Sequence, residues 1–260
     1  MNIIINADDF GRTPEINEAI CECFKRGYIT NTTMMVNMPY ADEAVKLAKE
    51  NDFWDKVGLH LNLTEGTPFN KNLSKDKLFC DKNGEFTGFF DSSVKTRLVL
   101  PKKSNIEVRK EIELQMEKFL SYYPLLLHMD SHHHVHTDLP VYNDICYYFI
   151  KYSFKSMRLS RNIGHYNSLK KIYKSFINKR IKRIAEITTN FFTDFDDLDK
   201  IEELSANACV GTVELMCHPI FYNEKLKNLW VEKSSSENFE VINEKLKKYK
   251  LLSFKDLQNV

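Results

Sequence analysis

The chain of 260 residues has no strong excess of charge: its formal balance is +1 at pH 7. That removes the whole-molecule bias toward nucleic acid or anionic membrane. It has no apolar run near the ~20 residues needed to span a bilayer. MNIIINADDF supplies three isoleucines and then acids, so the start is unlike a signal peptide. Export by another route stays open, but the expectation is a cytoplasmic protein with no membrane partner. Cys21, Cys23, Cys80, Cys146, Cys209 and Cys217 form no CxxC pair, and they read as reduced thiols rather than a disulfide framework. There is no Walker A motif, no GxGxxG and no internal repeat, so nucleotide cofactors and solenoids are not indicated.

What is present is a rhythm. NIIIN suits a buried strand. RTPEINEAICECFKRG follows, with Thr13 as N-cap, Pro14 at the first helical position and Gly27 at the stop. TNTTMMVNM, YADEAVKLAKEN and VGLHLNL continue as strand, helix and strand. This spacing argues for parallel strands with helical crossovers. Residues 66–104 break it with Gly66, Pro68, Gly84, Gly88 and Pro101, and a stretch of that kind reads as a functional loop or insertion. The rhythm returns with a helix in NIEVRKEIELQMEKFLSYY, a strand in PLLLHMD, a helix in LPVYNDICYYFIKY, a short strand in MRLS and a strand in GTVELMCHP. Ser234 to Ser236 reads as a loop before a last helix at 237–249. Between Lys170 and Arg183, seven of fourteen residues are Lys or Arg. A solvated helix face is the plain reading of that stretch; a phosphate or nucleic-acid patch is the alternative, with no aromatic platform to support it.

Four polar clusters lie at or just past the ends of the expected strands: Asp8 and Asp9, His60 and Asn62, HMDSHHHVH at 128–136, and His218. In parallel α/β folds that edge carries the active site. Adjacent carboxylates at a strand end point apart, so one can face a metal while the other faces water; a simple turn is the competing reading. Alternation in VGLHLNL puts Gly58, His60 and Asn62 on one unexpectedly polar face, although a hydrogen-bonded core histidine explains His60 as well. In HMDSHHHVH, His132 shares a face with other histidines whether the segment is extended or helical, which marks it as the best metal ligand. Proline after His218 holds it extended at the strand end, where an imidazole can act as a general acid; a loop histidine is the bland alternative. One carboxylate and two imidazoles with open positions describe a hydrolytic metal site. Zn, Mg, Mn, Co and Fe(II) all suit such a donor set.

NADDFG (6–11), GLHLNLTEG (58–66), HMDSHHHVH (128–136) and VELMCHP (213–219) together resemble the YdjC-like carbohydrate deacetylases, also called the ChbG family. The motifs run in order over most of the chain. The resemblance implies one domain over 1–260, an α/β fold built as a distorted TIM-like (β/α) barrel, with residues 66–104 shaping the substrate site. It implies removal of N-acetyl groups from amino sugars such as chitooligosaccharides, with a small oligosaccharide as partner and a homodimer as assembly. It implies one divalent metal, Mg first and Zn, Mn or Co also fitting, held by Asp9, His60 and His132. Carried over by motif, Asp8 is the base, His218 the acid, and Arg158 in MRLSR the arginine of the site. Asn62, Asp130, His133, His134 and His136 are then assigned to substrate binding. Ile220 departs from the glycine frequent after HP in the family, which bears on the rim and on substrate choice. Two other classes fit the residues less well. A phosphoesterase on the same scaffold would want more cations beside the metal. A non-catalytic sugar- or metal-binding protein would need neither base nor acid.

Overall fold

The computed structural model describes residues 1–124, 128–164, 166–207, 210–230 and 237–259. The isoleucine run lies in β1 (Asn2–Phe10), whose Ile3, Ile4 and Ile5 are fully buried, as a strand covered on both faces requires. In α1 (Pro14–Arg26) the Thr13 hydroxyl accepts the Ile16 N–H at 3.3 Å. Gly27 closes the helix in the left-handed region at φ 70°, where the absence of a Cβ removes the strain. Then come β2 (Asn31–Met34), α2 (Ala41–Glu50) and β3 (Val57–Leu61). Both strands are shorter than the apolar segments that foretold them. The chain turns after β2, where the Met38 N–H meets the Met35 carbonyl, and the Asn62 side chain binds the backbone just after β3.

The expected insertion contains a 3-10 turn at Leu73–Lys75, a Cys80–Phe86 bridge and the short α3 (Phe89–Ser92). Its Leu73, Phe79, Phe86 and Phe90 join the main core. The remaining elements are α4 (Lys102–Tyr122), β4 (His128–Ser131), α5 (Leu139–Lys151), β5 (Ser156–Met157), α6 (Ser168–Ile184), β6 (Phe191–Asp194), α7 (Leu198–Ala206), β7 (Thr212–Cys217), β8 (Pro219–Tyr222), β9 (Lys225–Asn228), α8 (Phe239–Leu246) and β10 (Lys250–Leu251). Of the PLLLHMD segment, residues 125–127 lie outside the described residues, as do Ser234 to Ser236 and Cys209. Cys21, Cys23, Cys80, Cys146 and Cys217 are free thiols.

Seven parallel strands run in the order β5-β4-β3-β2-β1-β7-β6, and β10 adds to β1 at Asn2 and Ile3. The sheet curls until its outer strands approach each other. Ser156 bridges Ile187, and Asn162 bonds Phe192 through both its backbone N–H and its side-chain oxygen. The result is the α/β distorted TIM-like barrel. Every strand points the same way, so the residues at their C-terminal ends gather at one mouth. Gly58 permits one close approach inside the wall: a Cβ there would stand 2.7 Å from the His128 carbonyl oxygen. No helix of the described residues is long and apolar enough to cross a membrane.

Candidate metal centre and active site

Asp8 and Asp9 diverge because β1 breaks its register between Ala7 and Phe10, with Asp9 at φ 70°. A bulge of this kind re-aims a side chain at the cost of local strain. Asp9 Oδ1 lies 3.3 Å from His60 Nε2 and 2.9 Å from His132 Nδ1. Asp9 Oδ1 and His60 Nε2 are both buried, and neither has a partner in hydrogen-bond geometry. Unsatisfied buried polar atoms are costly. Here they converge in a carboxylate–imidazole–imidazole trio that fits a divalent ion. Burial alone would raise the Asp9 pKa; the imidazoles of His132 and His60 outweigh it and hold the carboxyl well below its usual range. Arg12 reaches Asp9 Oδ2 at 3.1 Å and also Glu65, whose carboxylate lies 3.2 Å from His132 Nε2.

Behind His60 stands Asp130, with its Oδ1 2.6 Å from His60 Nδ1. A carboxylate on the far ring nitrogen fixes the tautomer that frees Nε2 for a metal. The Thr33 hydroxyl donates to Asp130 Oδ2 at 3.0 Å and accepts from Asn6 Nδ2. Burial opposes charge on His60, but Asp130 and Asp8 prevail and push its pKa up to about 10.

Asp8 faces the barrel interior. Arg158 grips it with two bonds of 2.6 and 2.7 Å, and Asn6 Nδ2 donates a third at 2.9 Å. Burial raises the Asp8 pKa, yet the Arg158 guanidinium more than reverses that and keeps the carboxyl ionised. Arg158 itself is fully buried. It also meets Asp130 Oδ2 at 2.6 Å and Glu214 Oε1 at 2.5 Å, and its guanidinium lies 4.8 Å from the Phe192 ring centre. Burial drives the Glu214 carboxyl up to about 7 in spite of Arg158. His218 is half-buried just past β7. Its charge environment is made by Asp9, Asp8, His60 and His132, so it borders the same cluster. Burial lowers its pKa. Its N–H bonds Asn228 Oδ1 at 2.7 Å and its carbonyl accepts from Leu229, so the β8–β9 hairpin pins it.

The histidine-rich segment is neither extended nor regularly helical. His133 and His134 both sit at positive φ, 52° and 57°, and fan the rings apart. His132 joins the trio. His133 is exposed and stacks on His132 at 4.2 Å. His134 is half-buried, edge-on to Phe192. His136 is buried, with Nδ1 2.6 Å from Ser131 Oγ and Nε2 3.1 Å from the Arg158 carbonyl. His128 lies under the site, stacked on Phe254 and bonded to Ser156. Asn62 is buried and accepts the N–H groups of Thr64 and Glu65. Of the five residues expected at substrate, then, His133 and His134 reach the surface, whereas Asn62, Asp130 and His136 are committed to internal bonds. The cluster brings together Asp8, Asp9, His60, Asp130, His132, Arg158 and His218.

Glu214, Thr33 and Glu65 were not singled out in the sequence. A lone acid inside the apolar TVELMC strand was the available signal for Glu214, since a charge buried on both sides needs a partner. Other carboxylate and imidazole groups also approach ligand geometry, such as Asp8–His60–Asp130. Arg158 already occupies the carboxylates of that set, so the Asp9 trio fits an ion better.

The model of the family described as YdjC-like protein matches residues 2–256. A carbohydrate deacetylase of Clostridium beijerinckii is 33% identical over 99% of this chain and 100% of its own. A carbohydrate deacetylase of Thermoanaerobacter pseudethanolicus is 30% identical, covering 87% of this chain and 84% of its own. A crystal structure from Enterococcus faecalis, described as a cellobiose-phosphate cleavage protein, superposes with a TM-score of 0.71 over 98% of both chains at 24% identity, a likeness of fold. With the motifs, the barrel and these matches in place, the chain belongs to the YdjC-like family.

Proposed function

We propose that the protein is a metal-dependent deacetylase that removes the acetyl group from N-acetylated amino sugars such as chitooligosaccharides. One observation carries the reading: the buried trio of Asp9, His60 and His132 has unsatisfied donor atoms and is flanked by an Arg-held carboxylate and a half-buried imidazole. The names of the relatives support the acetyl–sugar chemistry.

A divalent ion on that trio, Mg first with Zn, Mn or Co as substitutes, would supply Lewis acidity to lower the pKa of water and polarise the acetamide carbonyl. Asp8 takes the proton of the attacking water. Arg158 keeps Asp8 ionised and aimed, so it acts as a positioning residue. His218 gives a proton to the departing amine nitrogen. Burial lowers the His218 pKa, and the half-buried ring draws the proton it donates from solvent as negative charge develops beside it. Acetate and the free amine leave. His133 and His134 reach the substrate, residues 66–104 shape its access, and Asn62, Asp130 and His136 brace the groups that touch it. A phosphoesterase is less well supported, since Arg12 and Arg158 are both tied to carboxylates.

The test is acetate release from N,N′-diacetylchitobiose with chelator and with Mg, Zn, Mn and Co added back. Release that chelator stops and metal restores is the expected result, with turnover lost in His132→Ala. Wild-type activity in His132→Ala would overturn the ligand assignment. Metal binding without acetate release from any N-acetyl sugar would overturn the reaction.

A further inference from the structure

The basic stretch of α6 has no part in that reaction. Its Lys171, Lys174, Lys179 and Lys182, together with Arg161 and Tyr166, line a cavity of about 360 Å³ between the helix and the segment after β5. The wall is fixed: Asn178 accepts the Ser160 N–H at 2.7 Å and donates to the Ser160 carbonyl at 2.9 Å. Arg161 is held by Asp194 and Asp197. Among the described residues, none of the four lysines is ion-paired with a carboxylate. Elsewhere on the surface the chain pairs its lysines freely, as in Lys151–Glu113, Lys155–Glu186 and Lys248–Glu202. Lys174 donates to the Arg161 carbonyl at 3.0 Å and lies 4.1 Å from the Tyr166 ring centre. Burial, and then the like charges of Arg161, Lys170 and Arg97, pull its pKa down to about 8.

Arg161 is neutralised by its own carboxylates, but the four lysines have no such partner among the described residues and repel each other, and an anion placed among them relieves that repulsion. Several donors converging from a helix face and a loop suit a group with several acceptor oxygens and more than one negative charge. We propose that this cavity binds a phosphate group, as the free ion or as a small phosphate monoester. Its volume is that of a small-molecule site. One face of Tyr166, the aromatic residue of the lining, is already covered by Lys174, which leaves a poor stacking platform for single-stranded nucleic acid. It shares no lining residue with the metal centre, and the inference does not depend on the deacetylase reading.

The experiment is calorimetric titration of the whole protein, at low salt, with inorganic phosphate and with glucose 6-phosphate. Wild type is compared with Lys174→Gln, with the doubly substituted Lys171→Gln/Lys182→Gln, and with His132→Ala. Lys171 and Lys182 are exposed, so the double variant keeps its fold even if Lys174→Gln does not. Binding that weakens roughly tenfold for each lysine lost, and that His132→Ala leaves unchanged, is expected. Tighter glucose 6-phosphate assigns the site to a monoester, and tighter inorganic phosphate to the free ion. Absence of binding by both, unchanged affinity in the lysine variants, loss of binding in His132→Ala, or a single-stranded RNA oligomer outcompeting both would overturn the proposal.

Discussion

Asp130→Asn is the sharpest probe of how the metal centre is set. Asp130 gives one oxygen to His60 Nδ1 at 2.6 Å and the other to Arg158 and the Thr33 hydroxyl, at 2.6 and 3.0 Å. Asparagine fits the same volume but brings an NH2 group. If that group faces Arg158 and Thr33, two donors meet a donor. If it faces His60, Nδ1 must become the acceptor, and the proton moves to the Nε2 that a metal needs. Both orientations weaken the ligand. Loss of such a supporting partner costs about 10- to 100-fold in metal affinity, or ~1.4 to 2.7 kcal/mol. Arg158 keeps Asp8 and Glu214, so the fold survives the change. The assay is competition of zinc between protein and a fluorescent chelator at pH 7, with thermal melting of the metal-free protein as the fold control. Wild-type zinc affinity in a folded Asp130→Asn would show that Asp130 does not govern the His60 tautomer.

Three further outcomes follow from the geometry. Gly58→Ala sets a Cβ 2.7 Å from the His128 carbonyl; forcing β3 from β4 should cost ~1–3 kcal/mol in urea denaturation and weaken zinc binding, since His60 and Asp130 sit on that pair of strands. Asp197 is pushed up by burial, but Lys200, Thr193 and Arg161 bring its pKa down to about 2. A depressed folded pKa stabilises above the unfolded value of 3.8 and fades as pH falls toward 2. Asp197→Asn should therefore lose roughly 2 kcal/mol at pH 7, and about half of that gap should remain at pH 3; a gap that widened on acidification would contradict the assignment. Asp8→Asn should retain metal and fold while acetate release falls roughly 100- to 10,000-fold, with metal affinity read separately to distinguish a lost base from a lost site.

The elements with unambiguous local chemistry were legible. Thr13, Pro14 and Gly27 marked the bounds of α1, and the isoleucine run marked β1. The β8–β9 hairpin was not anticipated, because its turn residues Asn223 and Glu224 adopt positive φ without the glycine that normally announces such a turn. β6 is only four residues, followed by a 3-10 turn at Phe195–Asp197, and β10 is two, too short for a period to declare itself. In the site, strand-end logic pointed to Asp8, Asp9, His60 and His218, and Asp9 and His60 lie within ion-ligand distance of one another. It could not sort the five imidazoles of 128–136. Their separation comes from two left-handed residues, His133 and His134, and neither the helical nor the extended template contains such a kink.

The charge balance favours a cation at that mouth. Asp8, Asp9, Asp130 and Glu214 are all buried at the barrel centre. Arg158 and Arg12 are the guanidiniums that reach them. With all four acids ionised, two negative charges are left over in a region where uncompensated charge is costly. Burial lifts Glu214 to about 7, with Asp130 and Asp8 adding to the rise, and against its burial the same two carboxylates lift His60 to about 10, so both groups favour their protonated forms here. A divalent cation beside Asp9 would offset the excess without those protons, so metal binding should displace them. Titrating zinc into the protein in two buffers of different ionisation enthalpy at pH 7 should reveal that release, and binding with no net proton exchange would contradict this account of the charge.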